Sequence, residues 1–385
     1  MSPFVPGLVP SLQAHGESVF VQMSRLAGEH GALNLGQGFP DDPAPPLVAE
    51  AARRAIAEGH NQYPPARGIP ALRRAIAQHQ RRYGLELDPD RHVAVTAGAT
   101  GAIAAAVLGL VQPGDEVVVV EPYYDAYPAL VDLAGGVRRP VALRGPDLAL
   151  DLDALRAAAG PRLRLIVLNT PHNPVGRVLT REELDVVAEV AIASDAVVVS
   201  DEVYEHMTFD GHEHTPIATL PGMAERTVTV SSAGKTFSVT GWKVGWATGP
   251  DHLVDAVAHT AQWLTFSGGA PFQHAVAEAL DAVDELVPPL VDSLRRRRDL
   301  LMDGLAAAGL APRVPEGTYF VVADIAPLGV DDAAAWCREL PATKGVAAVP
   351  VSAFCDHPGE HATLARFAFC KSEEAIREGS RRLVG

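Results

Sequence analysis

The sequence is short of cysteine, of positive charge and of long apolar runs, and each shortage removes a class of protein. Its three cysteines, Cys337, Cys355 and Cys370, are odd in number and far apart, which argues against a disulfide framework and against zinc-ligand spacing. They fit a reducing compartment. Lysine and arginine total 32 against 47 acidic residues, a formal charge of −15, so no basic face is expected to meet the phosphates of a nucleic acid. No apolar run is long enough to cross a bilayer. The opening stretch, Met1-Ser-Pro-Phe-Val-Pro-Gly-Leu-Val-Pro10, lacks a basic segment and does not read as a signal peptide. A cytoplasmic, soluble protein is expected. Also missing are a three-glycine dinucleotide fingerprint, a serine nucleophile elbow and a Cys/His pattern.

What is present is a chain of 385 residues, 48% hydrophobic, long enough for one large and one smaller lobe. Proline and glycine crowd residues 1 to about 18, which reads as an extended arm, and a short amphipathic helix follows over 19–29. Helices are expected over 46–58 and 69–82. From there strands over 92–96, 116–121, 137–143, 163–168, 196–201 and 227–231 alternate with helices over 99–111, 151–159 and 180–194. Thr180 and Glu183 form a capping box. This alternation means an α/β fold with a mostly parallel sheet between helices, whose ligands gather at the carboxyl ends of the strands. Beyond Pro250 the pattern turns helical to about 310, with a break expected at Pro288-Pro289. Strands over 318–323, 346–351 and 364–370 and a helix over 372–383 read as the smaller α+β lobe. The expected division is an N-terminal arm and part of the small lobe over 1–45, a large lobe over 46–285 and a small lobe over 286–385. Arg295 to Arg298 point about 100° apart in a helix, so they suit solvent or lobe-to-lobe ion pairs and not a phosphate site.

Three strand ends carry the chemistry. Leu165-Ile-Val-Leu-Asn-Thr-Pro-His-Asn-Pro-Val-Gly176 breaks into a turn at Asn173; Ala196-Val-Val-Val-Ser-Asp-Glu-Val-Tyr204 carries Asp201 and Tyr204; Val228-Thr-Val-Ser-Ser-Ala-Gly-Lys235 places a lysine in a small-residue turn, with Lys243 eight positions on. An amine there, beside hydroxyls and a second cation, suits imine formation with an aldehyde cofactor whose phosphate needs neutralising. Thr96-Ala-Gly-Ala-Thr-Gly101 joins a strand to a helix whose free N–H groups form an anion site. Read singly, Asn-Pro and paired glycines such as Gly36 and Gly38 are turn chemistry. His212 and His214, without a third ligand, read as structural, so no metal is expected. His172 suits contact with a neighbour of the site.

In this order the residues resemble the fold type I, pyridoxal-phosphate-dependent aminotransferases of class I/II, from Asn34 to the final helix. The resemblance implies a seven-stranded sheet. It also implies that Lys235 holds pyridoxal 5'-phosphate as an imine and, once freed, moves the proton between the substrate Cα and the cofactor. For that, burial and a nearby cation should depress its pKa. Asp201 would face the pyridine nitrogen, and Tyr204 and Asn173 would bond the phenolic oxygen. Gly98, Ala99, Thr100, Ser232 and Lys243 would cup the phosphate, Tyr124 would stack on the ring, and Tyr63 would reach the phosphate of a partner subunit, implying a homodimer with shared sites. Arg366 and the Gly38 backbone would grip the substrate α-carboxylate.

Asn34-Leu-Gly-Gln-Gly-Phe-Pro-Asp41 and Thr240-Gly-Trp-Lys-Val-Gly-Trp246 are similar to the kynurenine aminotransferase and glutamine transaminase K branch. Gly268-Gly-Ala-Pro-Phe-Gln273, Ser352-Ala-Phe-Cys-Asp356 and Phe369-Cys-Lys371 look more like actinobacterial N-succinyldiaminopimelate aminotransferases. Where kynurenine-type enzymes carry bulky residues, this chain has Gly268 and Gly269, which favours a long polar substrate, with Phe20 as a lid ring. The expected partners are an amino acid, glutamate first, and a 2-oxo acid. Kynurenine or glutamine transamination, with or without cleavage of cysteine S-conjugates, is the second reading. A non-catalytic cofactor-binding module and a nicotinamide dehydrogenase are the other classes; the acidic charge without an added DNA-binding domain and the missing glycine fingerprint weigh against them.

Overall fold

The computed structural model describes residues 7–385. In chain order its strands are β1 (Leu33–Asn34), β2 (Val93–Ala97), β3 (Glu116–Glu121), β4 (Val137–Arg144), β5 (Ala149–Leu150), β6 (Leu163–Asn169), β7 (Val197–Asp201), β8 (Thr227–Ser232), β9 (Val244–Thr248), β10 (Ala311–Pro312), β11 (Phe320–Asp324), β12 (Val346–Ala347), β13 (Val349–Pro350) and β14 (Leu364–Ala368). The main sheet runs β2-β9-β8-β7-β6-β3-β4-β5. From β8 through β7, β6 and β3 to β4 every neighbour is parallel. Only β9 and the two-residue β5 run against their neighbours.

The central strands are buried along their whole length, which is why they read as unbroken valine runs and not as alternating ones. On either side lie helices such as Gly98–Leu110 and Arg181–Ala193, the latter started by the Thr180/Glu183 capping box. Strand order reverses between β3 and β6, and a parallel sheet leaves a crevice beyond its carboxyl ends at such a point.

The second sheet, β10-β11-β14-β13, is antiparallel and belongs to the C-terminal part. The N-terminal segment joins it: β1 pairs with β12, and the Ala368 N–H donates to the Leu35 carbonyl at 2.6 Å. Residues 33–38 are thereby laid as a strap beside the mouth of the main sheet.

Three expectations change. β9 supplies the seventh strand of the main sheet, and the short β5 adds an eighth at its edge. The helix Val283–Ala307 runs straight through Pro288 and Pro289. Both prolines are exposed, as are Asp284 and Glu285 four positions earlier, so water takes the carbonyls that lose their N–H partners. The breaks fall instead between Leu264 and Ala270 and at Ala282. Within the expected arm, Pro10–Gln13 makes one helical turn with proline at its tolerated first position; residues 1–6 lie outside the described part. In the arginine run, Arg297 Nη1 lies 2.6 Å from Asp42, and Arg298 pairs with Asp210 and Asp299.

Candidate active site

A cavity of about 200 Å³ opens where β6, β7 and β8 end. At one end it is walled by Gly98, Ala99, Thr100, Ser232 and Lys243, and further along by Tyr124, Asn173, Asp201, Tyr204 and Lys235. All ten were singled out from the sequence.

The first end is built for an anion. The helix Gly98–Leu110 starts directly at the end of β2, and no side chain caps its first N–H groups. Gly98 has φ +72°, and a Cβ on Gly245 of β9 would lie 2.3 Å from the Gly98 carbonyl carbon, so the two backbones touch. Lys243 holds the left-handed conformation, φ 53°, unusual for a side chain with a Cβ. Its Nζ lies 3.2 Å from where a Cβ on Gly98 would stand. Lys371 pairs with Asp41, but no carboxylate pairs with Lys243 among the described residues. Free N–H groups and an unpaired ammonium in one recess form a phosphate-ready site.

The other end holds the titrating groups. Asp201, the last residue of β7, is buried and accepts from the Tyr127 hydroxyl at 2.6 Å and from the Val203 N–H at 3.3 Å. Burial pushes its carboxyl up to about 6, against the Tyr127 and Val203 hydrogen bonds and the Lys235 charge, which hold it down. Lys235 follows β8 in the short helix Ala233–Thr236 and donates to Tyr319 Oη at 2.9 Å and to the Gly38 carbonyl at 3.5 Å. Burial lowers its pKa to about 8; Cys370 and Asp201 work against that fall, and Arg366 and Lys243 add to it.

Arg366, in the middle of β14, is 1% exposed. Its Nη1 donates to Asn173 Oδ1 at 2.9 Å and its Nη2 to the Gly36 carbonyl at 2.7 Å. The rings of Phe320, Phe20 and Phe354 lie 3.9, 5.0 and 5.4 Å from its guanidinium carbon. Burial lowers its pKa to about 10, so it stays charged at neutral pH. Its Nε has no partner among the described residues. A buried, charged fork with a free donor is suited to a carboxylate.

Residues 31–383 match the pattern of the family "Aminotransferase class I and II". A "Probable N-succinyldiaminopimelate aminotransferase DapC" of Mycobacterium tuberculosis is 52% identical, with 97% of each chain covered. The methionine aminotransferase of Escherichia coli is 40% identical, covering 99% of this chain and 98% of that one. A solved structure of N-succinyldiaminopimelate aminotransferase from Mycobacterium tuberculosis superposes with a TM-score of 0.96 at 52% identity, covering 98% of this chain and 99% of that one. The chain belongs to the class I and II aminotransferases.

Aminotransferases of this class depend on pyridoxal phosphate, and the residues fit it. Among the described residues Lys243 has no ion pair, the helix start is uncapped and Asp201 is a buried carboxylate bonded by no lysine or arginine; the first two suit the phosphate and the third a protonated ring nitrogen. Lys235 is the amine between them. Three members of this aminotransferase site escaped sequence reading. Tyr127, Tyr319 and Asn169 are brought in by the helix Ala126–Leu133, the start of β11 and the end of β6. Tyr127 stood in the aromatic stretch Glu121-Pro-Tyr-Tyr-Asp-Ala-Tyr127, and helical spacing from Tyr124 would have been the signal. Tyr319 had none. Tyr63 stands apart from the cavity, 82% exposed and edge-on to Phe266 at 5.4 Å. Phe20 flanks Arg366. His214 bonds Glu202 at 2.8 Å while His212 is exposed. His172 is buried, its pKa held down to about 3 by burial.

Proposed function

We propose that this aminotransferase takes an amino group from glutamate and, in a second half-reaction, delivers it to a long 2-oxo acid bearing further polar groups, a succinylated amino-oxopimelate foremost. The observation that carries the chemistry is that a phosphate-ready recess, a buried carboxylate and a low-pKa lysine share one cavity. Bound pyridoxal phosphate supplies an electron-withdrawing ring that makes the substrate Cα–H acidic. Lys235 Nζ takes that proton and returns it. Asp201 would hold the ring nitrogen's proton, Tyr204 and Asn173 would bond the phenolic oxygen, and Tyr124 would pack on the ring. Gly98, Ala99, Thr100 and Ser232 would donate hydrogen bonds to the phosphate, and Lys243 would offset its charge. Arg366, with the Gly38 backbone, fixes the α-carboxylate so that the Cα–H lies along the reactive direction.

The substrate reading rests on the 52% identical relative and on Gly268, where an added Cβ would meet nothing within 4 Å. Tyr63, Trp263 and Phe266 are 82%, 74% and 47% exposed, an aromatic surface that a second copy of the chain would cover. A homodimer, with Tyr63 reaching the partner's phosphate cup, accounts for it. Among the described residues no helix is long and apolar enough to cross a membrane, and the cytoplasm is the proposed location.

The test is a single-turnover screen. Enzyme first loaded with an amino group from glutamate is mixed with oxo acids: the succinylated amino-oxopimelate and those of methionine, glutamine and kynurenine. The proposal expects the long acidic acceptor to discharge the enzyme fastest. Faster discharge by the methionine or kynurenine oxo acid would replace the substrate assignment, and no change in cofactor absorbance on adding glutamate or any other amino acid would point to a binding module.

A further inference from the structure

Tyr319 immediately precedes β11 on the small-lobe sheet, whereas Lys235 follows β8 of the main sheet, yet the two meet at 2.9 Å. The tyrosine is fully buried, with its ring edge-on to Tyr204 at 5.2 Å and to Phe320 at 4.8 Å. Its hydroxyl carries one proton. The Gly38 carbonyl in short contact with it can only accept and takes that proton, with the Tyr204 side chain as the hydroxyl's other polar neighbour. The tyrosine oxygen is then the acceptor for Lys235, and the same carbonyl takes a second N–H at 3.5 Å. Two acceptors match the two N–H donors of a neutral amine and leave its lone pair turned away from both oxygens. The third donor of an ammonium finds no acceptor among the described residues.

We propose that Tyr319 is a positioning residue for the reactive lysine: its hydroxyl, anchored on the Gly38 carbonyl, docks the free Lys235 amine with the lone pair turned toward the substrate Cα–H. The inference deepens the proposed function and rests on Lys235 being the proton carrier. The residue after Tyr319 extends the argument. Phe320 stacks on Arg366 at 3.9 Å, and Arg366 is tied to Gly36, two positions before Gly38 on the same strap. Tyr319-Phe320 and residues 36–38 thus set the base and the carboxylate fork in one register. The strap packs closely on this pair: a Cβ on Gly38 would meet Phe320 Cζ at 2.4 Å. The other groups facing Lys235 are Asp201, Cys370 and Tyr204 on one hand and the cations Arg366 and Lys243 on the other. None of these donates or accepts a hydrogen bond with Nζ among the described residues.

Tyr319→Phe keeps the ring packing and removes only the hydroxyl. In the cofactor-loaded enzyme kcat should fall roughly 10- to 100-fold, because a misplaced reacting group costs that much, while KM for glutamate stays within about twofold. The isotope effect with Cα-deuterated glutamate should rise as proton transfer becomes slower. In the cofactor-free protein, labelling of Lys235 by formaldehyde and cyanoborohydride, read by mass spectrometry against pH, should shift its midpoint down by about one unit, since the oxygen that accepts from the charged form is gone. Unchanged kcat, isotope effect and labelling midpoint, beside a Lys235→Ala variant without turnover, would overturn the role of Tyr319 and leave Lys235 in place. Retained turnover in Lys235→Ala would instead overturn the lysine assignment, and this inference with it.

Discussion

On the sheet side of the cavity, Asn169, Asp201 and Ser232 are the last residues of β6, β7 and β8, so each is placed by the register of its own strand. On the side of the second sheet, Tyr319 reaches Gly38 across 281 positions and Arg366 reaches Gly36 across 330. The first wall holds the groups suited to the cofactor, and it depends on a parallel sheet whose core is buried throughout. The second holds the groups suited to the substrate, and it exists only when the strap and the second sheet are docked. The difference teaches that cofactor binding and substrate alignment can be broken separately.

The largest separation should come from Lys235→Ala. Steady-state turnover should drop by about 10³-fold or more, the span of general acid–base catalysis, while cofactor absorbance shows that binding persists through the phosphate cup. Arg366→Ala attacks the other wall. Steady-state kinetics should show KM rising roughly 100-fold for every α-carboxylate substrate whatever its side chain. A rise confined to one substrate would make Arg366 a side-chain reader. Gly38→Ala should press on Phe320 and Tyr319 together. Overpacking predicts a stability loss of about 1–3 kcal/mol in denaturant unfolding, with substrate alignment lost and cofactor retained. The smallest effect is on pH. Asp201 titrates at about 6 and is anionic above it, and the Tyr127 hydrogen bond holds that value down. Removing the hydroxyl in Tyr127→Phe should therefore move the acidic limb of the kcat/KM profile upward, by about one unit for the loss of one such bond.

The same contrast explains what the sequence revealed. Asp201, Lys235, Asn173 and the Gly98 turn stand at or just past the ends of buried strands, where period, burial and strand direction are all local signals. β9 was harder to see because Gly245 interrupts the side-chain pattern of a five-residue strand. Pro288-Pro289 misled because tolerance of proline depends on which carbonyls face water, a property of the folded helix. Arg366 was found only through resemblance; its partners, Gly36, Asn173 and three phenylalanine rings, come from four distant stretches. Tyr319 had no signal at all, since a tyrosine at the start of a buried strand reads as core until Gly38 is laid across it.

Reduction of the cofactor-loaded protein with borohydride, followed by mass mapping of its peptides, tests the central claim most directly. The account predicts the added mass of reduced pyridoxal phosphate on the peptide containing Lys235. The same mass on Lys243, Lys344 or Lys371, with Lys235 unmodified, would contradict it.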